Sequence, residues 1–164
     1  MDAVTRCPAL RHRQDARALP RRRRRRAAGS GGRHPGDRLG DTFLYYSPDG
    51  RVPRAGQPFA TAVTKDYPGE PASGLDRPGA FRVNVHAGAE AFEAHCGHGP
   101  REASPPDGVD HRHRDVVLPH PVYARLGWVC VVDPAERSAA ATRELLTTAH
   151  RLAALRHRRR SGER

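Results

Sequence analysis

Apolar and polar residues alternate over Phe81–His86 (FRVNVH), with Phe81, Val83 and Val85 on one side and Arg82, Asn84 and His86 on the other. A period of two marks a strand with one packed face. Its second face is expected to meet solvent or a shallow site. Thr42–Ser47 (TFLYYS) is aromatic and β-prone. Phe59–Thr64 (FATAVT) sets Phe59, Thr61 and Val63 against small residues, the pattern of a half-buried strand in an antiparallel meander. Trp128–Val132 (WVCVV) is apolar at every position, so it is placed in the middle of the sheet, covered on both faces.

Helical spacing is found in two places. Gly88–Cys96 reads as a short helix anchored by Phe92. Asp133-Pro134-Ala135-Glu136 has the order of a helix start: a capping Asp, Pro at the first helical position, and Glu three residues after the cap. The helix that follows is expected over Ala135–Arg156, with Ala141, Leu145, Ala149, Leu152 and Leu155 on one face. Ser47-Pro48-Asp49-Gly50 is a turn by residue type. Lys65–Ala80 and Gly97–Val117 are polar, Pro- and Gly-bearing loops, and long loops in compact domains are often functional. The prediction is an α+β domain over residues 41–157. It consists of a small antiparallel sheet of about four strands, packed by a short helix and a long C-terminal helix.

Composition changes this picture at the ends. Residues 1–40 hold only four of the chain's Leu, Val and Phe residues, and no regular period. They carry 12 Arg against 3 Asp, including the run Arg21–Arg26. Residues 137–164 carry 8 Arg against 2 Glu. The middle, residues 41–136, holds 9 basic and 13 acidic groups. The net charge of +11 therefore sits in the tails, and residues 158–164 read as a disordered basic tail. Binding of nucleic acid through these arginine tails is one functional expectation; a solvated, disordered tail is the plainer one. A third reading treats residues 1–40 as a frame-shift product. Written in GC-rich codons, Arg33–Leu39 shifted by one base reads G-T-P-E-I-A-W, and the arginine run becomes valine. Sequencing the gene across this junction tests that hypothesis; it fails if no neighbouring frame encodes an apolar, strand-like peptide.

Cys7, Cys96 and Cys130 are odd in number and lack framework spacing, so a reducing cytoplasm is expected and Cys130 is read as a small core residue. No run of 18 apolar residues occurs, so no membrane span is expected. The arginine run leads into AAGSGG rather than an apolar stretch, unlike a secretory signal. No P-loop, dinucleotide fingerprint or nucleophile elbow is present, and no cofactor is expected. His86, His95, Cys96 and His98 lack the paired spacing of a zinc site. His111 and His113, in an Arg-rich loop, read as surface residues. His120, held between Pro119 and Pro121, is the most site-like residue, with Tyr123 close behind. Lys65, Asp66 and Tyr67 begin the first long loop. With Arg82 and His86 they could line a polar pocket. The candidate ligand-binding set is thus Lys65, Asp66, Tyr67, Arg82, His86, His120 and Tyr123, with no catalytic residue assigned. Three functions compete: a small binding or interaction module with a shallow polar site around Arg82, His86 and His120, a nucleic-acid binder, and an enzyme using His120 with Lys65 or Asp66.

Four blocks in order carry a recognisable pattern: GDTFLYYSPDG, QPFATAVTKDYPG, DRPGAFRVNVH and LPHPVYARLGWVCVVDP. Over about residues 40–157 they resemble an uncharacterised bacterial family, domain-of-unknown-function family 6194. The resemblance implies a helix and strands ahead of the first block, where this chain departs from the family pattern. More loosely, the order of elements is similar to the MmcQ/YjbR group of small α+β domains, some of which have been suggested to bind DNA. The acidic middle of this chain does not favour that activity, and likeness of fold is weak ground for function.

Overall fold

The computed structural model describes residues 40–53, 56–103 and 108–162; the expectations for residues 1–39, 163 and 164 lie outside them. Five strands form one antiparallel sheet: β1 (Thr42–Leu44), β2 (Ala60–Val63), β3 (Arg82–His86), β4 (Val117–Pro119) and β5 (Trp128–Val132). Their spatial order is β1-β2-β3-β5-β4. Among the described residues, two α-helices accompany them, α1 (Gly88–Cys96) and α2 (Ala139–Ser161), with short 3-10 turns at Pro100–Glu102 and Ala124–Leu126. The α+β expectation holds, with one strand more than expected, because β4 forms from the segment leading into Pro119.

The register assigns the faces. Ala60 lies opposite Val85, and Val85 opposite Val129. Val117 lies opposite Val131. These residues share the face that packs on the helices, since partners across a ladder point the same way. Phe92 of α1 and Leu145, Ala149 and Ala153 of α2 close this core with Phe59, Val85 and Val129. Small alanines on α2 let the helix lie close to the sheet. The buried stripe runs through Thr142, Leu145, Ala149 and Ala153, whereas Leu155, expected on this stripe, is exposed. β5 is buried at all five positions, in keeping with its uniformly apolar sequence.

Two glycines allow the junction of α1 with the start of β5. Gly127 has a φ of +76°, and a Cβ there would meet the Gly88 backbone at 3.3 Å. The Gly88 amide donates to the Gly127 carbonyl at 3.2 Å. Only residues without side chains permit backbones to approach this closely at a left-handed φ.

The start of α2 differs from the sequence expectation. Asp133 does not cap it. Asp133 has a φ of +44°, and both its backbone and its side chain extend the β3–β5 ladder. Its N–H donates to the Phe81 carbonyl at 2.8 Å, and its Oδ1 accepts from the Phe81 N–H at 2.9 Å. Arg77 and Arg114 occupy Oδ2 at 2.6 and 2.9 Å. The helix begins at Ala139 instead, and it runs to Ser161 rather than Arg156. Asp115, also left-handed with a φ of +57°, supplies the carboxylate at this end. It accepts from the N–H groups of Ala135 (2.7 Å), Arg137 (3.0 Å) and Ser138 (2.9 Å). It also accepts from the Ser138 hydroxyl at 2.5 Å. Short polar side chains tolerate the left-handed region better than other residues do.

The Ser138 hydroxyl bond and the surrounding N–H groups hold the Asp115 carboxyl well below its ordinary value of 3.8. A depressed carboxylate stabilises the fold fully above its unfolded pKa, and this contribution is lost as pH falls through the folded value. Wild-type urea midpoints are therefore expected to drop as pH falls below 3.8. Asp115→Asn is expected to lower the midpoint at neutral pH and to flatten that acid slope. An unchanged midpoint would show that α2 does not depend on this carboxylate.

Candidate functional site

The second face of the sheet is the one the alternation assigned to solvent. The structure buries it. Across this face the register aligns Thr61 with Asn84, Asn84 with Cys130, and Cys130 with Leu118. The next row is Val63, Arg82 and Val132. The Lys65–Ala80 loop covers it, with Leu75 and Ala80 packed on Val63 and Val132. Arg82 and Asn84 are each only 3% exposed. Expecting them at a shallow surface is therefore corrected, because a long loop supplies a second cover that strand periodicity does not reveal.

Asp66 shapes this loop. Its carboxylate accepts from the N–H groups of Ser73 (2.8 Å), Gly74 (3.0 Å) and Leu75 (3.1 Å). The fold-back brings the Ser73 hydroxyl to Nη1 of Arg82 at 2.7 Å. Nη2 of Arg82 faces Glu70 Oε2 at 3.4 Å, long for a charge-assisted contact, which is usually about 2.7–2.9 Å. Nε of Arg82 is shut off from solvent and has no hydrogen-bond partner among the described residues. Asn84 donates from Nδ2 to Thr61 Oγ1 at 2.9 Å, and its buried Oδ1 has no partner among them. A buried donor and a buried acceptor thus stand unsatisfied two residues apart on one strand face. Such groups are rare in folded proteins and cost about 1–3 kcal/mol each.

Two histidines feel the charge of the guanidinium. His120 follows β4, and its Nδ1 accepts from the N–H groups of Val122 and Tyr123, both at 3.1 Å. That arrangement fixes the neutral ring with its proton on Nε2. Burial, then the charge of Arg82, then His111, push its pKa down to about 3. Its ring also meets Tyr123 at 5.0 Å and Trp128 at 6.3 Å between centroids. His111 is buried as well, and its Nε2–H donates to the Pro119 carbonyl at 3.1 Å. Burial first, and Arg82 among the later causes, lower its pKa from 6.5. Cys130 donates its thiol to the same carbonyl at 3.6 Å, and burial lifts that thiol to about 12.

Of the sequence-predicted residues, Asp66 reaches Arg82 through Ser73, and the Arg82 charge acts on His120, whose ring packs on Tyr123 and Trp128. Tyr123 supports His120 through its amide and its ring. The others have different occupations. Lys65 is exposed, with Nζ 5.6 Å from the Tyr67 ring centroid. The Tyr67 hydroxyl donates to Asp41. His86 lies at the far end of β3, where Arg156 donates to its Nδ1 at 3.1 Å and Trp128 packs edge-on. Burial, followed by the charge of Arg156, lowers the His86 pKa. Sequence reasoning missed His111, Ser73, Glu70 and Asn84 as members of the cluster. Asn84 shares the Arg82 phase of the alternation, a signal that was available. His111 is concealed by its exposed neighbours Arg112, His113 and Arg114.

His120 gives a pH signature. Its folded pKa lies below the unfolded 6.5, so the unfolded chain binds a proton that the folded chain refuses. Stability is then expected to fall as pH drops from 6.5 toward about 3. His120→Gln should show a shallower fall of urea midpoint between pH 6.5 and about pH 5. Nitrogen-detected NMR should show a neutral imidazole with the Nε2 proton throughout that interval. Protonation of His120 near pH 6.5 would overturn this assignment.

Among the described residues, no three His, Cys, Asp or Glu side chains are grouped to hold a metal. No helix among them is long and apolar enough to cross a membrane. No curated protein and no solved structure matches the chain. One family does, described as a family of unknown function, over residues 9–162. That span takes in all four sequence blocks, the whole described sheet and both helices, so the chain belongs to this family, DUF6194.

Proposed function

We propose that this chain is a small binding module whose site is the polar cluster of Arg82, Asn84, Ser73 and His120 beneath the Lys65–Ala80 loop. The observation that carries this reading is the unsatisfied pair, Arg82 Nε–H and Asn84 Oδ1. A bound molecule that accepts from one and donates to the other would recover the cost of burying both. His120 is neutral and keeps its proton on Nε2, and the Arg82 charge acts on its ring. An enzyme using His120 with Lys65 or Asp66 has less support. Asp66 is committed to loop amides, and the charges acting on His120 are Arg82 and His111 rather than Lys65. The free thiols of Cys96 and Cys130 support a reducing, cytoplasmic setting.

A screen of small polar molecules at millimolar concentration tests this function, read by backbone NMR on the full chain. Binding is expected to shift the amides of residues 73–75 and 82–85 together. Asn84→Ala should weaken it by about tenfold, the value of one buried hydrogen bond. Shifts confined to other surfaces, or none for any compound, would overturn the reading.

A second reading rests on Arg158, Arg159 and Arg160, exposed in the last turn of α2. They could contact nucleic-acid phosphates without sequence preference. Cations also suit the C-terminal dipole of a helix, which favours the first reading. If the arginines bind phosphate, affinity for a random duplex should fall steeply with salt. Replacing all three by Gln should then reduce the salt slope by about 3. An unchanged slope would exclude this surface.

A further inference from the structure

The chemistry of the ligand follows from how the Arg82 guanidinium is used, given the binding site proposed above. A guanidinium offers a carboxylate two parallel N–H bonds along one edge. The Nε/Nη2 edge of Arg82 is the one left incompletely paired. Nη1 is committed to Ser73, Nε has no partner, and Nη2 has only the 3.4 Å approach of Glu70. The Glu70 carboxylate therefore reaches one corner of this edge and does not span it. Its side chain is 23% exposed, against 3% for Arg82. Glu70 thus approaches the buried cation from the solvent side, on the loop that covers the cluster. Gly69, with a φ of +86°, and the Glu70 N–H bond to the Tyr67 carbonyl at 3.1 Å form the turn that carries it.

We infer that the ligand is a small carboxylate that takes the Nε/Nη2 edge of Arg82 in place of Glu70, with a hydroxyl group donating to Asn84 Oδ1. Glu70 is then an internal competitor that keeps Arg82 paired while the site is empty. Exchanging one carboxylate for another leaves the charge beneath the loop unchanged. Arg82 is the cation in this cluster, because His120 and His111 both have depressed pKa values. One positive charge suits a monoanion better than a phosphate dianion. Asn84 Oδ1, an acceptor on the same strand face, asks for a donor on the ligand. Together these features describe a short hydroxycarboxylate.

Matched pairs test this without mutation. Glycolate and lactate would be titrated against glycolamide and lactamide, with inorganic phosphate alongside, on the full chain. NMR would follow the Arg82 Nε–H and the amides of residues 70–75. At least one acid is expected to move both sets and to bind about tenfold or more tightly than its amide. Glu70→Gln, at a partly exposed loop position, is expected to tighten that acid severalfold by removing the competitor. If amides or phosphate bind this cluster as well as the acids, the carboxylate inference fails and the binding module stands. If an acid binds but Glu70→Gln weakens it or leaves it unchanged, the competition fails. If none of the five compounds moves the Arg82 Nε–H, the carboxylate inference fails, and the wider screen decides the binding function.

Discussion

β5 must be dry on both faces, and the rest of the structure answers that requirement. A strand with five consecutive buried side chains needs a neighbour on each edge and a cover on each side. β3 and β4 provide the edges. The helices cover one side with a core of Phe, Val, Leu and Ala. On the other side two loops do the same work. A loop brings unpaired backbone groups with it, and buried backbone must find partners. The chain answers with carboxylates. Asp66 gathers three N–H groups of the first loop. Asp133 ties the start of β3 to the end of β5, and Asp115 fixes the approach to α2.

The candidate site arises from this use of charge. The aspartates are engaged by backbone amides and by arginines nearer the surface, so none of these three is the counter-ion of Arg82. The histidines that feel its charge are kept neutral by burial. Arg82 is thus buried with one long ion pair, to Glu70 at 3.4 Å, and buried ion pairs are in general weak contributors to stability. A chain that needed only stability would be served as well by an apolar side chain here. The retained cation, with one N–H unmet beside an unmet carbonyl, is the feature that distinguishes this face from ordinary packing.

Elements with strong local signals were legible in the sequence. The α1 boundaries and its Phe92 anchor follow from local spacing, as does the buried run of β5. The Ser47–Gly50 turn follows from residue type and closes with the Gly50 N–H bonded to the Ser47 carbonyl at 3.3 Å. What escaped was set by distant partners. The alternation in FRVNVH correctly separates two faces, but no local pattern says that a loop will fold over the polar one. The capping order around Asp133 is genuine at the level of residue types, yet Phe81, Arg77 and Arg114 claim its carboxylate first. His111 is turned inward by the Pro119 carbonyl, and its sequence neighbours give no sign of it. Of the site, Arg82 and His120 were legible as chemically notable residues. Their burial, and the charge of one acting on the other, were not.

The remote carboxylate at the start of α2 also bears on the order of folding. Ser138 makes no side-chain cap of its own, and the carboxylate that holds the segment leading into the first turn, Ala135 to Ser138, lies 20 to 23 residues upstream. Helix nucleation is the costly step, and a local cap ordinarily eases it. Here that help arrives only after β4 and β5 have paired and carried Asp115 into position. The first turn of the longest helix is thus a product of sheet assembly, so kinetic analysis would find its contacts forming late, after the β4–β5 hairpin.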